Sequence, residues 1–261
     1  MSKNRSKLTE TPESAPITRR GMLGLTARSA IGVVVSQSVL SCVADAAVGT
    51  DDGTDTTDTA SGATCVLTAA LTEGPYFVDE RLNRSDIRSD PNTAQVSGGV
   101  PLQLIFNVSR VANSACTPLT GAYLDVWHCD AAGVYSDVSG SGAGRRFLRG
   151  YQITDASGIT RFTTVYPGWY TGRAVHIHFK LRLIAGATTT YEFTSQFFFN
   201  ESLTDTVHAL SPYSGRGRRN TLNTTDGIYN GLSASEKAAL TLLTADGSGY
   251  SGVINLGVRL A

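Results

Sequence analysis

The sequence predicts an all-β domain: an antiparallel β-sandwich with irregular loops and one or two short helices. Three observations carry that prediction. Apolar residues alternate with polar ones over several short runs, glycine-bearing turns separate the runs, and helix signals are confined to two short stretches. Taken in order, Leu102, Leu104, Phe106 and Val108 alternate with more polar neighbours, as a half-buried strand requires. Ala122 to Trp127 reads as another strand. The runs 150–154 and 159–165 flank a turn over Asp155 to Gly158, with Gly158 placed for positive φ. The runs 175–184 and 190–199 flank a second turn near Ala185 and Gly186. Residues 201–210 read as a helix, with Asn200 able to cap it and Pro212 just beyond its end. Residues 233–243 read as a second helical piece, and 211–231 as an irregular stretch along the sandwich edge.

Composition narrows the function classes. The chain has 261 residues with 22 basic and 22 acidic side chains. With no basic excess to exchange for phosphate counterions, nucleic acid is excluded as a partner. The second half carries no twenty-residue apolar run, so no transmembrane span is expected in the mature domain.

Residues 1–46 read as a targeting segment. Arg19 and Arg20 stand directly before a modestly apolar run from Leu23 to Val43, which resembles a bacterial twin-arginine (Tat) signal. Ala44-Asp45-Ala46 offers a cleavage site, and Val39 to Cys42 is an imperfect lipobox that leaves lipid anchoring at Cys42 open. The expected location is extracellular or cell-surface. Residues 47–63, rich in Thr, Asp and Gly, read as a linker, and 64–261 as the folded domain. Without Cys42, three cysteines remain, enough for one disulfide and one free thiol. Three pairings are open, with Cys65–Cys116 favoured and Cys129 read as a small buried hydrophobe.

Only four histidines occur. His176 and His178 sit two apart in a strand pattern, which puts them on one face with ring nitrogens able to share an ion. His128 and His208 read as a structural strand residue and a surface helix residue. Tyr170 lies six residues before His176, where a turn can swing its phenol back, and Tyr135 lies beyond a different strand.

These residues carry a resemblance. The segments Glu73-Gly-Pro-Tyr-Phe77, Asp125-Val-Trp-His-Cys-Asp-Ala-Ala-Gly-Val-Tyr135 and Tyr166-Pro-Gly-Trp-Tyr-Thr-Gly-Arg-Ala-Val-His-Ile-His178 are similar to those of the intradiol ring-cleavage dioxygenases. That family includes the catechol 1,2-dioxygenases and protocatechuate 3,4-dioxygenases. The likeness covers roughly residues 65–200 and is nearer the shorter exported members. The resemblance implies a mononuclear non-haem Fe(III) held by Tyr135, Tyr170, His176 and His178. It implies that Arg173 and Gln196 face the substrate, with Tyr170 also acting as a base. Tyr76 and Trp169 are expected as pocket walls. The implied reaction inserts both atoms of O2 into a catechol-type diol and opens the ring between the hydroxylated carbons, giving a cis,cis-muconate-type product. Which catechol is used, and the oligomeric state, stay open.

The donor chemistry agrees with ferric iron. Phenolate is a hard anionic donor that a trivalent cation keeps ionised, whereas zinc more usually recruits His, Cys and carboxylate. The competing reading is an exported non-catalytic β-sandwich binding module, which would explain the strands but not two Tyr and two His at these spacings.

Overall fold

A computed structural model of the protein describes residues 66–113, 115–240 and 243–260. The expected export signal, the linker, Cys42 and Cys65 lie outside the described residues. The strands are β1 (Pro101–Ala112), β2 (Ala115–Pro118), β3 (Tyr123–Trp127), β4 (Arg149–Ile153), β5 (Ile159–Val165), β6 (His176–Ala185) and β7 (Thr188–Phe198). Three short helices follow, α1 (Glu201–His208), α2 (Gly227–Asn230) and α3 (Ala234–Ala239), then β8 (Thr244–Asp246) and β9 (Gly249–Val258). Two sheets form. One has the order β2-β1-β9-β8 with β5 also paired to β1, and the other runs β4-β3-β6-β7.

The all-β expectation holds, with two amendments. β1 and β9 run parallel, from Leu102 opposite Tyr250 to Arg110 opposite Val258, so the sandwich is not wholly antiparallel. The turn at 155–158, where Gly158 has φ +74°, joins β4 to β5 in different sheets instead of closing a hairpin. The turn at Gly186 does close one, pairing β6 with β7. α1 begins where expected, with Asn200 accepting from the Ser202 and Leu203 amides, but ends two residues early. α3 is shorter than its predicted span and is capped by the reciprocal Ser233–Glu236 pair.

The core lies between the sheets. Leu102, Leu104, Phe106 and Val108 of β1, Phe162 of β5 and Ile254 and Leu256 of β9 meet Leu124, Val126, Ile177, Phe179 and Leu181 from the other sheet. The Phe106 and Phe179 rings touch across the layers at 5.3 Å. Each such side chain contributes about 1.5–3 kcal/mol by leaving water. Because side chains alternate along β6, filling the core with 177, 179 and 181 turns His176, His178, Lys180 and Arg182 to the opposite face.

That outer face is covered by residues 71–82, which cross it as a strap. Leu71 N donates to Thr194 O at 2.9 Å, and Gln196 Nε2 to Thr72 O at 2.7 Å. Lys180 pairs with Glu73 and lies 4.2 Å above the Phe77 ring, while Arg182 pairs with Asp79 at 2.9 Å. Arg149 Nη1 donates to Tyr76 O at 2.7 Å. Among the described residues no helix is long and apolar enough to cross a membrane. Cys116 is disulfide-bonded and Cys129 is a buried free thiol, so the partner of Cys116 lies outside the described residues.

Candidate metal centre

The register of the second sheet sets out the site. Trp127, His178 and Gln196 stand side by side on β3, β6 and β7. The Trp127 ring stacks on His178 at 4.9 Å and 8° and fixes the plane of the imidazole. One turn of strand away, His176 Nδ1 lies 2.6 Å from Ala174 O. A carbonyl can only accept, so Nδ1 carries the proton and the Nε2 lone pair points into the site. Two further donors reach that lone pair, His178 Nε2 at 3.0 Å and Tyr170 Oη at 3.1 Å. The Tyr135 ring lies 5.6 Å from that of Tyr170 and 6.3 Å from that of His178, and its buried hydroxyl has no hydrogen-bond partner. His178 Nδ1 is likewise buried and unpartnered.

These four groups fit a bound cation. Separations near 3 Å are those that two donors about 2.1 Å from one ion subtend at roughly right angles. The set is neutral in the absence of an ion. Burial pushes the Tyr135 phenol well above its ordinary range, helped by Cys129 and Tyr170, and raises Tyr170 to about 12. Burial, with Arg173 adding, holds His176 down to about 3 and His178 well below its ordinary value. Two protonated phenols and two neutral imidazoles, all but Tyr170 buried, have no countercharge, and only a strong cation would ionise the phenols. Among the described residues no three His, Cys, Asp or Glu side chains gather as a metal cluster, so the donors that do gather are these imidazoles and phenols.

The loops around the donors are tightly built. Tyr170 sits in the β5–β6 loop, whose Gly168 N donates to Asp130 O at 3.1 Å. A β-carbon at Gly168 would lie 2.6 Å from Asp130 O and closer still to Ala131 O, both backbone atoms that cannot step aside. Gly168→Ala should therefore lower stability by about 3 kcal/mol and displace Tyr170; thermal melting of metal-free protein and its metal uptake measure the two effects. Arg149 holds the opposite side, bonding Ser136 Oγ at 2.9 Å beside Tyr135 and the Tyr76 carbonyl at once.

Tyr76 stacks on Tyr135 at 4.5 Å and meets Tyr170 edge-on at 6.0 Å. With Tyr135, Tyr170, Val134 and Val138 it lines a cavity of about 290 Å³ over the donors. Trp169 is not among the residues lining this cavity; its indole lies beneath the Arg216 guanidinium at 5.1 Å. Two larger cavities, about 380 and 450 Å³, hold none of the four donors.

Arg173 stands beside the donors with its side chain 18% exposed. Its Nη2 donates to Gln196 Oε1 at 2.6 Å and its Nε to Asp226 Oδ2 at 2.8 Å. Gln196 is wholly buried with both amide ends engaged, Oε1 by Arg173 and Nε2 by the Thr72 carbonyl. Sequence reasoning missed Asp226, Trp127 and Arg149 as parts of this site. His128 is structural, as expected, bonded to Thr164 Oγ1 at 2.7 Å. His208 is half-buried and stacked on Tyr213 at 5.2 Å, which corrects the surface assignment.

Comparison with known proteins agrees with this picture. A family profile described as Dioxygenase matches residues 72–209, more than half of the chain and every proposed donor. The intradiol ring-cleavage dioxygenase of Tetranychus urticae is 29% identical with a TM-score of 0.62, over 75% of this chain and 95% of that one. The dioxygenase domain of a dioxygenase carbohydrate-binding protein fusion from Streptomyces sp. SirexAA-E is 28% identical with a TM-score of 0.53, over 75% of this chain and 100% of that one. A chlorocatechol 1,2-dioxygenase of Rhodococcus opacus is 25% identical over 133 residues, 44% of this chain and 51% of that protein. The chain thus spans about half the length of that curated relative.

Proposed function

The chain belongs to the intradiol ring-cleavage dioxygenases, and from that membership we propose that it binds one ferric iron through Tyr135, Tyr170, His176 and His178 and cleaves a catechol-type diol with O2. The observation that carries this reading is the convergence of two phenols and two imidazoles, without a carboxylate, beneath an aromatic cavity. Bound ferric iron would keep the phenols ionised and withdraw electron density from a bound diol, opening its ring to O2.

The residues of the chain divide the remaining work. Tyr170, the more accessible of the two phenols, takes a proton from the incoming diol at Oη. Tyr135, wholly enclosed, stays in place throughout. Arg173 stabilises negative charge developing on the ring, with Gln196 and Asp226 holding the guanidinium still. Tyr76 packs against the aromatic substrate and helps to exclude water. The diol and O2 combine without loss of atoms, and the bond between the hydroxylated carbons breaks to leave a muconate-type dicarboxylate.

The test is spectroscopic. Purified protein loaded with ferric salt should show a broad visible phenolate charge-transfer band that moves on anaerobic addition of catechol. Admission of air should then consume one O2 per diol. Folded, iron-loaded protein with no visible band and no catechol-dependent oxygen uptake would end this reading.

A further inference from the structure

One buried carboxylate outside the matched family segment touches both halves of the proposed centre. Asp226 is 1% exposed and lies in the stretch between α1 and α2, beyond residues 72–209. It accepts four hydrogen bonds. Oδ1 takes the Ile228 and Tyr229 amides at 2.8 and 3.0 Å, the ordinary work of a helix N-cap. Oδ2 takes Arg173 Nε at 2.8 Å and the Ala174 amide at 2.7 Å. The carbonyl of that same Ala174 accepts from His176 Nδ1 at 2.6 Å.

We propose that Asp226 is a positioning residue that sets two groups with one oxygen: it aims the Arg173 guanidinium, and by anchoring the backbone at Ala174 it holds in place the next peptide carbonyl, which fixes the tautomer of His176. The inference rests on the ferric dioxygenase reading for its catalytic consequence but not for its geometric one. A guanidinium held at Nε by a carboxylate and at Nη2 by Gln196 has lost its freedom to rotate. Nη1 has no protein partner among the described residues and is left for a bound anion. The Ala174 N–H and C=O belong to successive peptide units, so the grip on the N–H anchors the backbone at Ala174, from which the next carbonyl faces His176 Nδ1. His176 must then place its proton on Nδ1, and its Nε2 lone pair is left for the ion. Two short bonds from one oxygen thereby serve both the charge-stabilising group and a donor.

Two variants separate positioning from capping. Asp226→Asn keeps an oxygen for the Ile228 and Tyr229 amides but turns an NH2 group towards two donors. Asp226→Ser keeps a capping hydroxyl and deletes the second oxygen. Asn230→Ala is the control. It removes the bond from Asn230 Nδ2 to Thr224 O at 2.7 Å, loosening the same loop without touching Arg173.

With iron content matched, the two Asp226 variants should lose about tenfold or more in kcat with KM little changed, and Asn230→Ala should not. In full-length protein freed of metal by chelation and labelled with 15N-histidine, His176 should be a single Nδ1–H tautomer. It should become a mixture in both Asp226 variants. Wild-type kcat and a single tautomer in Asp226→Ser would overturn the proposal and leave Asp226 a helix cap. Should Asp226→Asn fail to fold, the serine variant carries the same expectations. Should the wild-type enzyme itself prove inactive on catechols, the dioxygenase reading fails, while the tautomer of His176 still decides the role of Asp226.

Discussion

Replacing His178 with alanine should empty the centre. Iron recovered with the purified protein should fall to a small fraction of the wild-type content, and turnover should drop on the order of a thousandfold or more. His178 is 1% exposed, and its ring is sandwiched into place by Trp127. Alanine leaves a gap with no nitrogen or oxygen nearby to replace Nε2, so the remaining donors hold an incomplete set. His176→Ala should be equally severe, and it also orphans the Ala174 carbonyl. Metal analysis, the visible band and oxygen uptake on the same preparations are the measurements. Full iron content with an unchanged band in either variant would remove that histidine from the centre.

The second large effect should split the two tyrosines, and it carries an unusual signature. The Tyr135 hydroxyl is buried with no well-aligned hydrogen-bond partner and only the Tyr170 phenol as a polar neighbour, and an unsatisfied buried hydroxyl costs about 1–3 kcal/mol in a metal-free protein. Tyr135→Phe should accordingly leave the chelated protein as stable as wild type or more so, while lowering iron content and nearly abolishing turnover. Tyr170→Phe loses its bond to His176 and should keep most of the iron and one phenolate band. Its rate should fall roughly 10²- to 10⁴-fold because the substrate proton has no acceptor. Thermal melting with and without chelator, iron content and turnover test all of this together. A Tyr135→Phe variant that is destabilised when metal-free and unaltered in iron binding would show the phenol to be a packing group. Full activity in Tyr170→Phe would move the base elsewhere, with Tyr166 the next to examine.

What the sequence revealed follows from the physics of each element. β6 is legible because its two faces differ so sharply, Ile177, Phe179 and Leu181 inward against His176, His178, Lys180 and Arg182 outward. A period of two is unmistakable in such a run. β9 shows no such contrast. Gly249, Gly252 and Gly257 dilute its apolar positions, and its partner is β1, so no neighbouring turn announces it. The phenols and imidazoles could be gathered from motif spacing, but their support could not. Asp226 lies 53 residues from Arg173 in a stretch of Thr, Asn and Gly without periodicity, and only the folded chain brings it to the guanidinium. Trp127 reads as a strand residue. Its stacking on His178 is a matter of register between β3 and β6, which a single sequence does not contain. The place of Trp169 next to Tyr170 in sequence likewise says nothing about the Arg216 that covers it.

The parallel alliance of β1 with β9 bears on how the domain comes into being. Asn107 Nδ2 on the first strand reaches Asn255 Oδ1 on the last, 148 residues downstream, at 2.9 Å. Emerging from a ribosome, β1 finds β2 and β5 soon after synthesis, but one of its edges has no complement until nearly the whole domain has been made. Joining ends so far apart costs chain entropy before any contact repays it, and topologies of this kind fold slowly. The β4-β3-β6-β7 sheet, which bears His176 and His178, does not wait for that event. A nascent chain can thus hold its donor-bearing half in order while the opposite layer still presents an open edge to passing strands.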